Sequence, residues 1–364
     1  MSDSSSTQEK PILVALSGGV DSSVAAALLL EQGHAIEAAY MKNWINEDDI
    51  FGDCPWQEDI EAARGAAEKL GIPFQVVNLI EDYKSRIVEY LLDGYQQGIT
   101  PNPDVLCNRE MKFGVFLDWA LEHGYAGVAT GHYARKITKP GGRAGIALSA
   151  DDRKDQTYFL ALMKQEQVQK AWFPLADLPK TEVRAKAREL DLPNAHKKDS
   201  QGICFIGNIR MKDFLRHYVP DRPGPIVNRE GRELGTHQGL HLFTIGQRKG
   251  LGIPSNKDFE HYVVVEKNWP DNQLIVDFDK PSSPGLFTDS VTLRDLSWID
   301  QPVTQKVTLL ARPRYLDPSQ EITFIPLENN RARITFESPQ RALAAGQILA
   351  IYRGDELLGG GVYE

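Results

Sequence analysis

Leu16 to Ser23 read Leu-Ser-Gly-Gly-Val-Asp-Ser-Ser, a set of residue types suited to holding a phosphate. Gly18 and Gly19 permit backbone angles and a close approach that a side chain would block. Ser17, Ser22 and Ser23 add hydroxyl donors. N–H groups in a turn that opens a helix converge on one point, where the helix dipole favours negative charge. The Walker loop requires Gly-x-x-x-x-Gly-Lys-Ser/Thr, and this turn holds no lysine. A bare Gly-Gly pair is more often only a turn, so the weight rests on the full string. A second kind of chemistry lies far along the chain. Cys107 sits in Thr100-Pro-Asn-Pro-Asp-Val-Leu-Cys-Asn, three residues after Asp104. Cys204 sits in Lys197-Lys198-Asp-Ser-Gln-Gly-Ile-Cys-Phe-Ile-Gly, and nearby cations favour a nucleophilic thiolate. Cys54 has no such neighbours. Any one cysteine could be a small buried hydrophobe. Two in polar, turn-rich segments also suit a pair cycling between thiol, persulfide and disulfide, if the fold brings them together. Metal binding is the weaker reading, with no Cys-x-x-Cys and only two good ligands.

These groups need a frame. Ile12–Leu16, Ile36–Met41, Phe74–Asn78 and Gly127–Thr130 are predicted strands. Asp21–Gln32, Trp56–Leu70, Glu81–Gln96 and Met111–His123 are predicted helices, with Gly33, Gly71 and Gly124 as stops. Pro101 and Pro103 predict a loop, not a helix, at Asp104 and Cys107. Alternating strands and helices imply an α/β fold with a parallel sheet, and ligands bind at the carboxyl ends of its strands. The Gly18-Gly19 turn lies at such an end. His261–Glu266 and Gln273–Phe278 flank Pro270-Asp271-Asn272 as a hairpin in a small central β unit. Six further β-rich stretches follow: Val291–Leu293, Val307–Ala311, Glu321–Pro326, Ala332–Phe336, Ile348–Arg353 and Glu356–Tyr363. They predict a small antiparallel barrel or sandwich. No internal repeat is visible.

The 364 residues suffice for two or three domains, and 41% hydrophobic with 25% charged residues fits an ordinary globular protein. No apolar run is long enough to cross a membrane, and three cysteines suit a reducing cytosol, so a cytoplasmic protein without a membrane partner is expected. Met1–Lys10 are polar and serine-rich, without the apolar core of a signal peptide, and read as an unstructured lead-in. The net charge of −9 argues mildly against nucleic acid. Arg184, Lys186, Arg188, Lys197, Lys198, Arg210, Lys212 and Arg216 cluster before the less acidic middle, either as a basic face or as a solvated surface.

Leu16–Ser23 resembles the pyrophosphatase loop of enzymes that split ATP into AMP and pyrophosphate. Seven strings together are similar to the tRNA-specific 2-thiouridylase family, bacterial tRNA-uridine 2-sulfurtransferases. They are Leu16–Ser23, Met41-Lys42-Asn43-Trp44, Thr100–Asn108, Ala129-Thr130-Gly131-His132-Tyr133, Lys154–Phe159, Lys198–Gly207 and Gly246–Gly252. The resemblance spans nearly the whole chain. It departs at Gln201, where Ser or Thr is expected, and at Pro313 beside Arg314-Tyr315.

The resemblance implies an adenine-nucleotide α-hydrolase-like domain over 1–213, a central β domain over 214–280 and a β-barrel touching tRNA over 281–364. It implies 2-thiolation of the wobble uridine, with adenylation of the C2 oxygen. ATP is then held by Ala15, Leu16, Ser17, Gly18, Gly19, Val20, Asp21, Ser22, Met41 and Gly131, with Mg2+ near Asp21. Cys204 carries the persulfide, Cys107 resolves it, and Asp104 acts as general acid or base, so that a Cys107–Cys204 disulfide results. Alternatively, Cys107 first liberates hydrosulfide. Asn102, Pro103 and Asp104 face the target base. His132, Lys154, Asp155, Gln156, Arg314, Tyr315 and Gln347 contact tRNA. Expected partners are tRNAs for Lys, Glu and Gln and a persulfide donor protein, with the enzyme itself a monomer. An amide-forming ligase with the same loop would not need the two cysteines. An RNA-binding module would not need an intact ATP loop.

Overall fold

In the computed structural model, residues 10–44, 56–198, 211–254 and 260–364 are described. The first sheet is built from β1 (Ile12–Ala15), β2 (Ile36–Lys42), β3 (Phe74–Asn78), β4 (Val128–Ala129) and β7 (Ala171–Trp172). Its order is β3-β2-β1-β4-β7 and every pairing is parallel. Side chains alternate across a strand. Ile12, Val14 and Leu16 therefore pack with Ala26, Leu29, Ala63 and Ala67 of α1 (Val20–Glu31) and α2 (Trp56–Leu70). Leu13 and Ala15 point to the opposite core, with Tyr83, Ile87, Leu91 and Val105. This two-sided burial explains the continuous apolar run of β1. α1 ends as predicted: Gly33 has φ +83°, and His34 N–H returns to the Leu29 carbonyl.

Two predicted helices are interrupted. Glu81–Gln96 becomes Ile80–Tyr83, a π-type stretch over Lys84–Val88, and Glu89–Gln96. Helical backbone also begins earlier than predicted at the second cysteine-bearing string. α3 (Pro103–Cys107) runs into a π-type stretch, Asn108–Val115, and then Phe116–Glu122. The loop expected at Asp104 and Cys107 is thus corrected to a short helix. Pro103 stands in its first turn, where the missing N–H costs nothing. Asn102 Oδ1 caps it by accepting from Val105 N–H at 3.2 Å.

β8 (Gly224–Asn228), β9 (Glu233–His237), β10 (Tyr262–Asn268) and β11 (Gln273–Phe278) form a second sheet in the order β10-β11-β8-β9. The predicted hairpin is β10–β11, turned at Asn272 with φ +52°. All six C-terminal strands are present: β12 (Phe287–Trp298), β13 (Val307–Arg312), β14 (Gln320–Leu327), β15 (Arg331–Arg341), β16 (Ile348–Arg353) and β17 (Glu356–Tyr363). They run β12-β15-β14-β13-β16-β17, and β12 pairs again with β17 to close an antiparallel barrel. A hairpin of β5 (Arg135–Thr138) and β6 (Ala144–Ala147) extends the barrel sheet through β17, with Leu357 opposite Ile146. Lys139 Nζ pairs with Asp300 at 2.9 Å and Glu356 at 2.5 Å across this junction.

Candidate functional site

The loop after β1 opens between β2 and β4, at the carboxyl edge of the sheet. Gly18 has φ +74°, and a Cβ there would overlap the Asp59 carbonyl of α2. Gly19 is the N-cap of α1 and offers no side-chain cap, so the first-turn N–H groups face the loop without a side-chain acceptor. The serines hold the loop. Ser22 and Ser23 hydroxyls both donate to the Gly19 carbonyl at 3.1 Å, and Ser17 N–H donates to Ser22 Oγ at 3.2 Å. Asn194 ties the loop from outside, its Nδ2 donating to the Gly18 carbonyl at 3.1 Å and to Ser23 Oγ at 2.9 Å.

The lysine absent from the string is supplied from elsewhere. α4 (Lys180–Glu189) packs on α1 through Val183 and Ala187 against Val20, Val24 and Ala25. This brings Lys180 Nζ within 2.7 and 2.8 Å of the two Asp21 oxygens. Tyr133 hydroxyl also donates to Asp21, at 3.0 Å. Gly131 reaches the same turn: a Cβ on it would stand 2.7 Å from Ser22 N. Met41, half-buried at the end of β2, packs against the core beside β1. The loop, Met41 and Gly131 thus share one edge. This cradle fits an adenine nucleotide's phosphates: uncapped N–H groups, the exposed Ser17 hydroxyl and one lysine. It offers no comparable cage for Mg2+. Asp21 is already engaged by Lys180, and among the described residues no three His, Cys, Asp or Glu groups could hold a metal.

On α3, Asp104 and Cys107 are three residues apart and share a helix face. Cys107 is buried, 4% exposed, in the core that also contains Leu13 and Ala15 of β1. Burial raises the Asp104 carboxyl above its ordinary value, partly offset by Lys112. The same Lys112 and complete burial hold the His132 imidazole well below its ordinary range. Asn102, besides capping α3, donates to Gln347 Oε1 at 3.5 Å. Gln347 Nε2 in turn donates to the Thr100 and Pro101 carbonyls at 2.9 and 3.1 Å.

The residues expected against tRNA separate into two groups. Lys154, Gln156, Arg314, Tyr315 and Gln347 are partly exposed along the seam between the first sheet's domain and the barrel. Tyr315 packs on Phe159, ring centroids 4.3 Å apart. Arg314 pairs with Asp317 at 3.1 Å and also donates to the Ala342 carbonyl. Pro313 fits its strand end, and its carbonyl accepts from Tyr363 hydroxyl at 3.1 Å. His132 and Asp155, by contrast, are interior. His132 Nδ1 lies 2.7 Å from Thr130 Oγ1. Asp155 is 3% exposed and takes Ser149 N–H, Thr157 hydroxyl and Arg312 Nη1, the last at 2.7 Å. Buried polar groups at these positions are satisfied by protein partners.

Cys54, Cys204, Gln201, Arg210 and residues 1–9 lie outside the described residues. The lysine pair that precedes Cys204 is described up to Lys198. Lys197 Nζ pairs with Asp59 at 2.5 Å, against the Gly18 turn. Sequence reasoning missed Lys180, Asn194, Tyr133, Lys112 and Arg312. Lys180, Asn194 and Arg312 carry no local signal, because each meets its partner across 157 to 176 residues of chain, and although Tyr133 lies in a quoted string, nothing local shows that its hydroxyl reaches Asp21.

Comparison with known proteins agrees with this layout. Residues 10–208 match the model of a tRNA methyl transferase HUP domain. Residues 212–277 match a tRNA methyl transferase PRC-barrel domain, and 288–363 an aminomethyltransferase beta-barrel domain. A tRNA-specific 2-thiouridylase MnmA of Akkermansia muciniphila is 54% identical over 353 residues, covering 97% of this chain and 98% of that protein. Proteins of the same name from Shouchella clausii and Pseudomonas fluorescens are 43% and 44% identical, covering 98% and 99% of this chain and 97% and 95% of theirs. With the nucleotide cradle, the Asp104–Cys107 helix and the closed barrel in one chain that these relatives match from end to end, the protein belongs to the tRNA-specific 2-thiouridylase family.

Proposed function

We propose that this chain replaces the C2 oxygen of the tRNA wobble uridine with sulfur, at the expense of ATP. A urea-like carbonyl is a poor electrophile and oxide a poor leaving group. Transfer of AMP to the C2 oxygen, with loss of pyrophosphate, addresses both. The N–H groups of α1, the Ser17 hydroxyl and Lys180 hold the phosphates, with Ser22 and Ser23 bracing the loop and Asp21 orienting Lys180. In this reading Met41 also holds ATP, and Gly131 is near the adenine or ribose. Mg2+ would arrive with ATP, and no step here is routed through it.

The persulfide on Cys204 attacks the adenylated C2, and AMP leaves. Cys107 thiolate attacks Cys204 Sγ, breaking the persulfide S–S bond. Sulfur stays on C2, and a Cys107–Cys204 disulfide forms. The alternative order, with Cys107 liberating hydrosulfide first, uses the same groups. Asp104 handles the proton, its carboxyl being raised by burial above its ordinary value. Asn102 and Pro103 line the unstacked base. One observation carries the reading: a tRNA-specific 2-thiouridylase is 54% identical over 97% of this chain.

Residues 1–213 form the adenylating unit in this scheme, 214–280 the central unit and 281–364 the tRNA-holding barrel. The tRNAs are those for Lys, Glu and Gln, the sulfur donor is a persulfide-carrying protein, and the enzyme acts in the cytoplasm as a monomer. Among the described residues no helix is long and apolar enough to cross a membrane. The test supplies Mg-ATP, a persulfide donor and unmodified tRNA, and weighs the digested nucleosides by mass spectrometry. Cys107→Ser and Cys204→Ser abolish 2-thiouridine, while Cys54→Ser retains it. Full activity in Cys107→Ser would refute the two-cysteine scheme.

A further inference from the structure

Asn108 directly follows Cys107 and is 3% exposed. Its Nδ2 donates to two carbonyls at 3.1 Å: Asp104, one turn back on α3, and Phe159, far along the chain. Its Oδ1 is buried without a hydrogen-bond partner among the described residues. The donor end is thus what the fold uses. Phe159 ends a stretch that is fastened to the barrel. Thr157 hydroxyl lies 3.1 Å from Tyr352 hydroxyl, Tyr158 hydroxyl donates to the Ile348 carbonyl at 2.9 Å, and the Phe159 ring rests on Tyr315. At the other end of α3, Gln347 of the barrel holds the Thr100 and Pro101 carbonyls. Pro103–Cys107 continues directly into the Asn108–Val115 stretch, so Asn108 stands inside one helical run that Cys107 shares. Two grips tie the start of this run to the barrel, one direct through Gln347 and one relayed through Asn108.

We propose that Asn108 is a positioning residue that converts the seating of the barrel on residues 157–159 into the placement of Asp104 and Cys107. The inference rests on the sulfur-transfer reading of Cys107 given above. An aspartate of the same shape cannot substitute, because its oxygens would face two carbonyl oxygens instead of donating to them.

Asn108→Asp and Tyr158→Phe test this in the full chain. Tyr158→Phe leaves Asn108 intact and removes only the hydroxyl that reaches β16. Asn108→Asp is expected to lower kcat at least about 10-fold with KM for tRNA and ATP within about 2-fold. In a Cys54→Ser/Cys204→Ser background Cys107 is the sole thiol. There, both variants change the rate of Cys107 alkylation by iodoacetamide by at least about 3-fold, in the same direction, and displace its pH midpoint. An Asn108→Asp protein with unchanged kcat and alkylation overturns the proposal. So does one whose kcat and KM worsen together. If Asn108→Asp does not fold, Tyr158→Phe decides, and an unchanged alkylation rate overturns the proposal. A parent chain that makes no 2-thiouridine refutes the sulfur-transfer reading instead, and the alkylation arm still reads the relay because it needs no turnover.

Discussion

Lys180 and Asp21 define the site at the scale of single residues. A lysine held by both oxygens of a carboxylate, with its side chain only 13% exposed, is a pre-oriented cation beside an uncapped helix start. Lys180→Met is expected to lower kcat/KM for ATP by about 100-fold, read as pyrophosphate release, because it removes a preorganised charge from the phosphate cradle. His132 gives a pH signature. Its imidazole is buried neutral, below its ordinary 6.5, so the unfolded chain binds the proton more readily than the folded one. That contribution to stability is present above about pH 6.5 and is lost as pH falls toward the folded value. Thermal unfolding of wild type and His132→Gln at pH 7.5 and pH 5 checks this. The wild type loses more of its Tm on acidification than the variant, and parallel losses would refute the assignment.

Two short elements decide the geometry. The turn at Gly18 works only because no Cβ is present: φ is +74° and α2 passes against it. Gly18→Ala costs about 1–2 kcal/mol for the left-handed backbone alone, before the overlap with Asp59 is relieved. Expected is a folded protein by circular dichroism whose ATP affinity, by calorimetry, falls more than about 10-fold. α3 is the second element. Two prolines concealed it in the sequence, since they usually exclude helix. The position of Pro103 in the first turn and the Asn102 cap make it possible. A helix, unlike a loop, sets Asp104 and Cys107 on one face and leaves Asn108 turned to Phe159.

At the scale of the molecule, the barrel is docked on the first domain through a buried ion pair. Asp155 and Arg312 have side chains 1% and 13% exposed and lie 2.7 Å apart. Removing one partner leaves a charge inside the junction. Arg312→Met is expected to lower unfolding stability by ~3–5 kcal/mol in urea titrations, and Asp155→Asn in addition to recover part of it. Equal stability of Arg312→Met and wild type would show the pair to be idle.

The sequence by itself determined the strand–helix alternation, the nucleotide turn, the central hairpin and all six barrel strands. Each rests on local signals: apolar runs, glycine stops and turn residues. The resemblance carried by the seven strings implied a chemistry for the cysteines, and Cys204 lies outside the described residues. Only the tertiary structure decided what fills the gap of a loop without lysine, since Lys180 reaches Asp21 from 159 residues away by the packing of one helix on another. It also decided that His132 and Asp155 face inward, and that a hairpin of the first domain continues the barrel sheet. Local patterns encode how a segment folds. Which buried charges meet depends on how distant segments pack, and no spacing along the chain records that.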